Sequence, residues 1–115
     1  MYTMITKVTF DFLTGLKENN NRDWFLEHKK EYERSKKEVE EFLSRLIPAI
    51  NALDTNLQSP DIKDCIFRIF KDIRFSKDKT PYKTNFGAFI AKGGRKTVNP
   101  GYYFHLEPGG SFIAA

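Results

Sequence analysis

The sequence predicts an α+β protein in which N-terminal helices pack on a C-terminal antiparallel β-meander. Apolar residues recur at three- and four-residue spacings over about residues 9–53, a pattern typical of amphipathic helices. From about residue 86 to residue 115, short apolar or alternating stretches are separated by turns that contain Gly and Pro, which indicates strands joined by hairpins. At 115 residues the chain has room for one hydrophobic core, so we expect residues 1–115 to form a single domain.

A short first helix is predicted over residues 10–17, with Thr9 as its N-cap because a threonine hydroxyl can accept a backbone N–H bond. Its apolar side chains fall on one face: Phe12, Leu13 and Leu16. The three consecutive asparagines at positions 19–21 then end this helix.

The second helix is predicted to be long and to begin at the same asparagines, which can cap it. Apolar residues recur at helical spacing over Trp24–Ile50, and the other face is crowded with charges that we interpret as solvated. Pro48 has no N–H to donate, so we expect the helix to kink near Ile47 or to end and restart briefly. Residues 54–60 are predicted to be a connecting loop.

Three strands are predicted in the C-terminal third of the chain. Residues 86–91 are short, apolar and aromatic, residues 102–107 alternate in polarity, and residues 111–115 begin a third strand. The stretches between them contain the Gly and Pro residues of tight turns. Consecutive strands joined by short turns predict an antiparallel meander over about residues 86–115.

Residues 67–85 lie between the predicted helices and the predicted strands, and we call this segment the basic loop. It holds six basic and two acidic side chains, so its net charge of +4 equals that of the whole chain. The bases are Arg68, Lys71, Arg74, Lys77, Lys79 and Lys83. We predict a short strand over residues 66–70, followed by an irregular segment because Thr80 precedes a proline and Ser and Asp favour turns.

Four sequence blocks carry a family resemblance: residues 19–25, 67–84, 101–103 and 108–110. In these blocks, and in their order, the chain resembles the family catalogued as domain of unknown function 2461 over essentially its whole length. The resemblance implies an α+β domain and supplies no catalytic residues. Members of that family continue well past the position that matches Ala115, so we expect a truncated domain.

A truncated third strand would leave an unprotected sheet edge at residues 112–115. Such an edge presents unpaired backbone N–H and C=O groups to solvent. Self-association through this edge is therefore an expected property of the chain.

The basic loop is the expected site for an anionic ligand, because arginine forks match phosphate or carboxylate bidentately and lysines add positive charge. The expected ligand-binding residues all come from this loop: Arg68, Arg74, Lys77, Lys79, Tyr82 and Lys83. An alternative interpretation is that the arginines pair internally with Asp72 or Asp78 and the lysines are merely solvated. For Tyr82 the alternatives are an exposed ring that stacks on a ligand and a packed ring with a bonded hydroxyl.

Two side chains are candidates for acid–base chemistry, although the sequence predicts no particular reaction. Asp72 lies within the basic loop, where orienting an arginine is the competing role. His105 alternates with Tyr103 and Glu107 along one strand face, although a lone strand histidine is usually a surface residue. His28 shares a helix face with aromatic residues, so we interpret it as a partly buried structural histidine.

Two histidines and one cysteine, none at ligand spacing, predict no metal site, and no cofactor is predicted. We interpret Cys65 as a small buried hydrophobe. A single cysteine, an N-terminus unlike a signal peptide and the absence of an apolar run of about 20 residues predict a cytoplasmic protein with no membrane partner.

The leading functional hypothesis is a site that binds, or acts on, a phosphorylated or other anionic small ligand, with the sheet bearing Tyr103 and His105 as its floor. A sequence pI near 9.2 is compatible with an anionic partner. The alternative is a nucleic-acid-binding module whose basic residues follow a phosphate backbone: Lys71, Lys77, Lys79, Lys83, Lys92, Arg95 and Lys96. A third hypothesis is a structural or protein-interaction domain with internally paired arginines.

Overall fold

A computed structural model describes residues 5–115, and in that range the helices come first and the strands last. The helices are α1 (Lys7–Glu18), α2 (Arg22–Glu27), α3 (Lys29–Leu53) and α4 (Ile62–Cys65). The strands are β1 (Phe86–Ala91), β2 (Gly101–Leu106) and β3 (Phe112–Ala114). A 3₁₀ turn over Thr55–Leu57 connects α3 to the segment that leads into α4. The predicted α+β fold class is confirmed.

The three strands form one antiparallel sheet in the order β1-β2-β3, so the predicted meander is confirmed. Ala88 faces Phe104 across the first strand pair, and Phe104 faces Ile113 across the second. Phe104 contacts Phe42 of α3 with ring centroids 5.6 Å apart, so this face of the sheet packs on the helices. Since strand side chains alternate, His105 lies on the opposite face.

The N-terminus of α1 corrects the prediction that Thr9 is its cap. Thr6 occupies the N-cap position, and Thr9 lies fully buried within the first turn. Glu38 of α3 supplies the cap instead: its carboxylate accepts the Thr6 N–H at 2.9 Å and the Thr9 hydroxyl at 2.8 Å. The free N–H groups at the start of a helix can bind a carboxylate from a neighbouring helix instead of a local side chain. The spacing of residues in the sequence does not reveal such a distant cap.

The predicted long second helix is divided into α2 and α3 at His28. Asn21 caps α2 as expected, because its Oδ1 accepts the Trp24 N–H at 2.8 Å. The break follows from the φ of −109° and ψ of 20° at His28, where the imidazole Nδ1 donates to the Trp24 carbonyl at 2.8 Å. The His28 ring also stacks on Trp24, with centroids 3.8 Å apart.

Helix α3 continues through Pro48 to Leu53, so of the two alternatives at this residue the end and restart of the helix is wrong. The carbonyl that loses its partner belongs to Ser44, four residues earlier. Ser44 and Pro48 are both exposed, so water can satisfy this carbonyl at little cost. The buried face of the same helix is unaffected: Val39, Leu43 and Ile47.

Residues 66–70 do not form the strand that was predicted. They lie extended along the free side of β1, with isolated bridges from Ile66 to Ala88 and from Phe70 to Tyr82. The Phe67 N–H donates to the Gly87 carbonyl at 2.9 Å. Helix α4, which was not predicted, ends at Cys65 immediately before this stretch. The segment nevertheless covers the β1 side of the sheet.

The hydrophobic core lies between the apolar faces of the helices and one face of the sheet. It includes Cys65, which is fully buried and free of any disulfide, as expected. Among residues 5–115, none of the helices has the length and apolar character that crossing a lipid bilayer requires.

Candidate anion-binding site

Arg74 and Asp72 pair with each other at the exposed tip of the basic loop. The arginine Nε and Nη2 donate to the two carboxylate oxygens at 3.1 and 2.9 Å. These hydrogen bonds lower the pKa of Asp72 to about 2. Asp72 therefore orients an arginine, which was the competing interpretation, and its geometry offers no support for a role as a general base.

Two lysines of the basic loop also make internal hydrogen bonds. Lys71 Nζ donates to Asp78 Oδ2 at 2.9 Å and to the Thr80 hydroxyl at 3.0 Å. The hydrogen bond from the backbone N–H of Thr80 holds the pKa of Asp78 far below its usual range. The hydrogen bond from Lys71 lowers this pKa further. Lys79 donates to the Ile73 carbonyl at 2.6 Å. Three of the six basic side chains of this loop, together with both of its acidic side chains, thus help to hold the loop's own conformation.

Tyr82 is packed in the core, with 4% of its surface exposed. Its ring stacks on Phe25 with centroids 4.2 Å apart, and its backbone N–H and C=O both bond to the side chain of Asn20. Of the two alternatives for this residue, the structure shows the packed ring. Tyr82 therefore fixes the basic loop to α2 and to the connection between α1 and α2.

Lys83 lies half-buried where the basic loop enters β1. Its Nζ is 5.3 Å from the centroid of the Phe67 ring, a cation–π arrangement. Burial lowers the pKa of Lys83, and the positive charge of Arg68 lowers it further. An open cavity of about 420 Å³ includes Lys83, Lys17 and Lys71 in its wall. Since Lys71 is already bound to Asp78, only part of this charge is available to a ligand.

Arg68 lines a separate cavity of about 340 Å³ between α3 and residues 63–70, which we call the Arg68 groove. Its wall contains four basic side chains and one acidic side chain, Glu40. The bases are Lys36, Lys63, Arg68 and Arg95. Within residues 5–115, no carboxylate lies within 4.0 Å of the charged nitrogens of these four. The groove wall therefore carries a net positive charge, and none of its four bases is held in a close ion pair with a described residue.

The backbone of the turn after β1 positions Arg95 in this groove. The Arg95 N–H donates to the Asp64 carbonyl at 2.7 Å, and its Nη1 donates to the Lys63 carbonyl at 3.0 Å. Gly94 allows this approach: its φ is +82°, and a Cβ there would lie 2.6 Å from the Asp64 oxygen. The guanidinium is thus held against α4 while its remaining N–H groups are not bonded to described residues.

The sequence predicted Arg68 as a ligand-binding residue but did not connect it with the three bases that line the same groove. Lys36 belongs to the charged face of α3, which was interpreted as solvated, and Lys63 lies on the short helix α4. Arg95 entered only the nucleic-acid alternative. Lys36 lies 27 positions before Lys63, and Arg95 lies 27 positions after Arg68, so no local sequence pattern connects the four bases.

His105 forms a hydrogen-bonded series with its neighbours on the outer face of the sheet. Tyr103 Oη lies 2.8 Å from His105 Nδ1, and His105 Nε2 lies 2.8 Å from Glu107 Oε1. Asn85 Nδ2 is 3.3 Å from the same Nδ1. Because the Asn85 amide and the Tyr103 hydroxyl can both donate to Nδ1, the neutral ring carries its proton on Nε2 and donates it to Glu107. Phe112 stacks on the ring with centroids 4.9 Å apart.

This series can pass a proton between a phenol and a carboxylate, but it lies apart from the Arg68 groove, whose wall does not include it. Burial raises the pKa of Tyr103, and the charge of Glu107 raises it further. Tyr103 is therefore a neutral hydrogen-bond donor at neutral pH. Among the described residues, no group of three or more histidine, cysteine or carboxylate side chains is arranged to hold a metal ion.

The protein therefore has an α+β fold with a basic groove between helix α3 and the extended segment that runs beside strand β1. The chain belongs to the family of conserved hypothetical proteins described as DUF2461, whose profile matches residues 8–115. The resemblance seen in the sequence is confirmed. Searches of curated proteins and of solved structures found no match.

Proposed function

We propose that the protein binds a small anionic ligand, with a phosphate or carboxylate group, in the Arg68 groove. The observation that carries this proposal is the set of four basic side chains in the groove wall without an ion-pair partner among the described residues. Four like charges around one cavity repel each other in the free protein. A bound anion relieves this repulsion, so binding is favoured by every one of them.

The geometry of the groove adds to this charge. Its walls contain apolar as well as basic side chains, and partial exclusion of water strengthens each charge–charge interaction. Arg68 and Arg95 each offer a planar fork that matches two oxygens of a phosphate or carboxylate. Arg95 is pre-oriented by the Lys63 carbonyl, which reduces the side-chain entropy lost on binding.

The remaining predicted ligand residues have other contacts or lie outside this groove. Arg74 and Lys79 are bonded within the basic loop, and Lys77 is exposed at its tip. Lys83 lines a different cavity, although it lies close enough to Arg68 for the charge of Arg68 to lower its pKa. The proposal therefore keeps Arg68 as the principal residue of the basic loop.

The first prediction is that inorganic phosphate binds saturably and that Arg68→Gln weakens binding about tenfold, the loss expected for a charge-assisted hydrogen bond. Isothermal titration calorimetry at low ionic strength measures both affinities. Glu40→Gln removes the one acid of the groove and should tighten binding. That gain distinguishes a direct electrostatic effect from general damage to the fold.

Arg22→Gln is the matched control, because Arg22 is exposed at the start of α2 and the substitution changes net charge equally. Equal weakening by Arg22→Gln and Arg68→Gln would contradict the proposal. A single-stranded oligonucleotide is titrated in parallel. If it binds with a steep salt dependence while phosphate does not bind, the nucleic-acid alternative replaces the proposal.

We further propose that β3 pairs with the β3 strand of a second copy of the chain. β3 is the edge strand of the sheet in the described residues, and Phe112 and Ile113 are each about half exposed. An exposed edge with apolar side chains favours backbone pairing with another strand. A cytoplasmic location, which the free buried Cys65 supports, completes the proposal.

A further inference from the structure

We infer that the ligand of the Arg68 groove is amphipathic: a phosphate or carboxylate group attached to an aromatic or branched apolar body. This inference rests on the proposed function and adds to it the part of the ligand that carries no charge. The apolar and aromatic side chains that line the groove, which we call its floor, are Tyr32, Ile66, Phe67, Ile69, Phe70 and Phe86. Basic residues and apolar floor belong to one cavity, so a single ligand can contact both.

Phe70 provides the clearest apolar surface in the groove. One side of its ring packs near Phe25 and Tyr82, with centroids 6.1 and 5.6 Å away, yet 49% of the residue remains exposed. The neighbouring Ile69 and Phe86 are only 3% exposed, so they form a fixed support rather than a free surface. A ligand body that covers Phe70 would remove apolar area from water, which stabilises the complex.

Tyr32 adds a polar group to this floor. Its ring is held between Phe25 and Phe86, with centroids 5.0 and 6.3 Å away. Its hydroxyl has no hydrogen-bond partner within residues 5–115. Burial raises the pKa of Tyr32, and the carboxylate of Glu40 raises it further, so the hydroxyl remains a donor at neutral pH.

The size of the groove is consistent with a ligand larger than a free anion. Its volume of about 340 Å³ lies near the lower end of the range typical of small-molecule sites. A phosphate ion bound to Arg68 would leave Phe70 and the Tyr32 hydroxyl uncovered. Binding sites of this kind combine an apolar lining with a few polar groups that fix the ligand's orientation.

The test compares three probes by calorimetry: phenyl phosphate, inorganic phosphate and phenol. Phenyl phosphate should bind about tenfold more tightly than inorganic phosphate, because its ring covers the apolar floor. Phenol should show no measurable binding, because it lacks the charged group. Phenyl phosphate should also displace inorganic phosphate competitively, since both occupy one site.

Two variants locate the apolar contact. Phe70→Ala should reduce the tenfold preference for phenyl phosphate over inorganic phosphate to about twofold. Phe75→Ala is the matched control, because Phe75 is 95% exposed and lies in the same loop without contributing to the groove. Tyr32→Phe keeps the packed ring and removes only the hydroxyl, for which the phenyl ring of this probe has no acceptor, so it should change the affinity for phenyl phosphate less than Phe70→Ala does.

The outcomes separate this inference from the proposed function. Equal affinity for phenyl phosphate and inorganic phosphate, or equal losses in Phe70→Ala and Phe75→Ala, would overturn the amphipathic ligand while leaving the anion site intact. Failure of both phosphates to bind would overturn the proposed function itself. Measurable binding of phenol with the affinity of phenyl phosphate would show that the charged group is irrelevant and would overturn both.

Discussion

Single residues connect elements that the sequence leaves far apart, and Glu38 is the clearest case. Its carboxylate accepts the N–H and the hydroxyl of Thr6 and the hydroxyl of Thr9, so a side chain of α3 holds the first turn of α1. Burial opposes the charged form, but the hydrogen bonds outweigh it and lower the pKa of Glu38. Arg34 adds a weaker attraction at 3.8 Å.

We expect Glu38→Gln to reduce the free energy of unfolding at pH 7 by about 1–3 kcal/mol, since it removes a charged acceptor from the donors of Thr6 and of the buried Thr9. The pKa of Glu38 is lower in the folded state, so its contribution is present above the unfolded pKa of about 4.3 and is lost as pH falls through the folded pKa. Urea unfolding at pH 7 and at acidic pH measures both effects.

Glu41→Gln is the control for this prediction, because Glu41 is exposed on the same helix. Its substitution should change stability by less than about 0.5 kcal/mol at either pH. If Glu38→Gln and Glu41→Gln lost equal stability, or if Glu38→Gln kept the full acid dependence of the wild type, the capping role would be wrong.

At the scale of elements, the connection after β1 determines how α4 and the Arg68 groove are held. Gly94 sits in the left-handed region with its Cα against the Asp64 carbonyl, and the next residue, Arg95, donates its N–H to that oxygen. The gap between Gly94 and the Asp64 carbonyl leaves no room for a side chain, since a Cβ at Gly94 would lie 2.6 Å from the carbonyl oxygen. Loss of this contact would therefore move Arg95 as well as α4.

Gly94→Ala should destabilise the protein by about 1–3 kcal/mol more than Gly109→Ala. Both glycines have positive φ, +82° and +76°, so both substitutions carry the left-handed penalty. Only Gly94 has a backbone atom in the way, while a Cβ at Gly109 meets nothing within 4 Å. Thermal or urea unfolding of the two variants compares them directly, and equal losses would show that the approach to Asp64 does not matter.

The helices and strands were predictable where periodicity extends over many residues. The amphipathic pattern found α1 and α3, and the alternating stretch found β2. The break at His28 depends on a side-chain bond to the Trp24 carbonyl, and α4 has four residues, too few to show a period. Residues 66–70 pair with the sheet only at isolated bridges, because tertiary position rather than strand propensity places them there.

At the scale of the whole molecule, the sequence located the positive charge but not the part of it that is available to a ligand. Arg74 and Asp72 are two positions apart and neutralise each other, whereas Arg68 remains unpaired among the described residues. Lys36 and Arg95 join Arg68 only because α3 and the turn after β1 pack on the same segment. A count of charges along the chain cannot distinguish these two situations.

The exposed edge of the sheet at β3 is the surface at which we expect two molecules to associate. If β3 pairs with a second copy, the sedimentation coefficient should rise with protein concentration, and Ile113→Lys should reduce the association because an edge lysine opposes strand pairing. Val98→Lys introduces the same charge at a position that is fully exposed in the turn between β1 and β2. Sedimentation that is independent of concentration, or equal effects of the two lysines, would exclude edge pairing.

The most direct test of the account is to map the phosphate site by two-dimensional ¹H–¹⁵N NMR. During a titration with inorganic phosphate, we expect saturable shifts in the amide signals of residues 66–70, Lys36 and Arg95, all with one dissociation constant. The signals of residues 72–79 should change little. Saturable shifts confined to residues 72–79, or small shifts across the whole chain that never saturate, would contradict binding in the Arg68 groove.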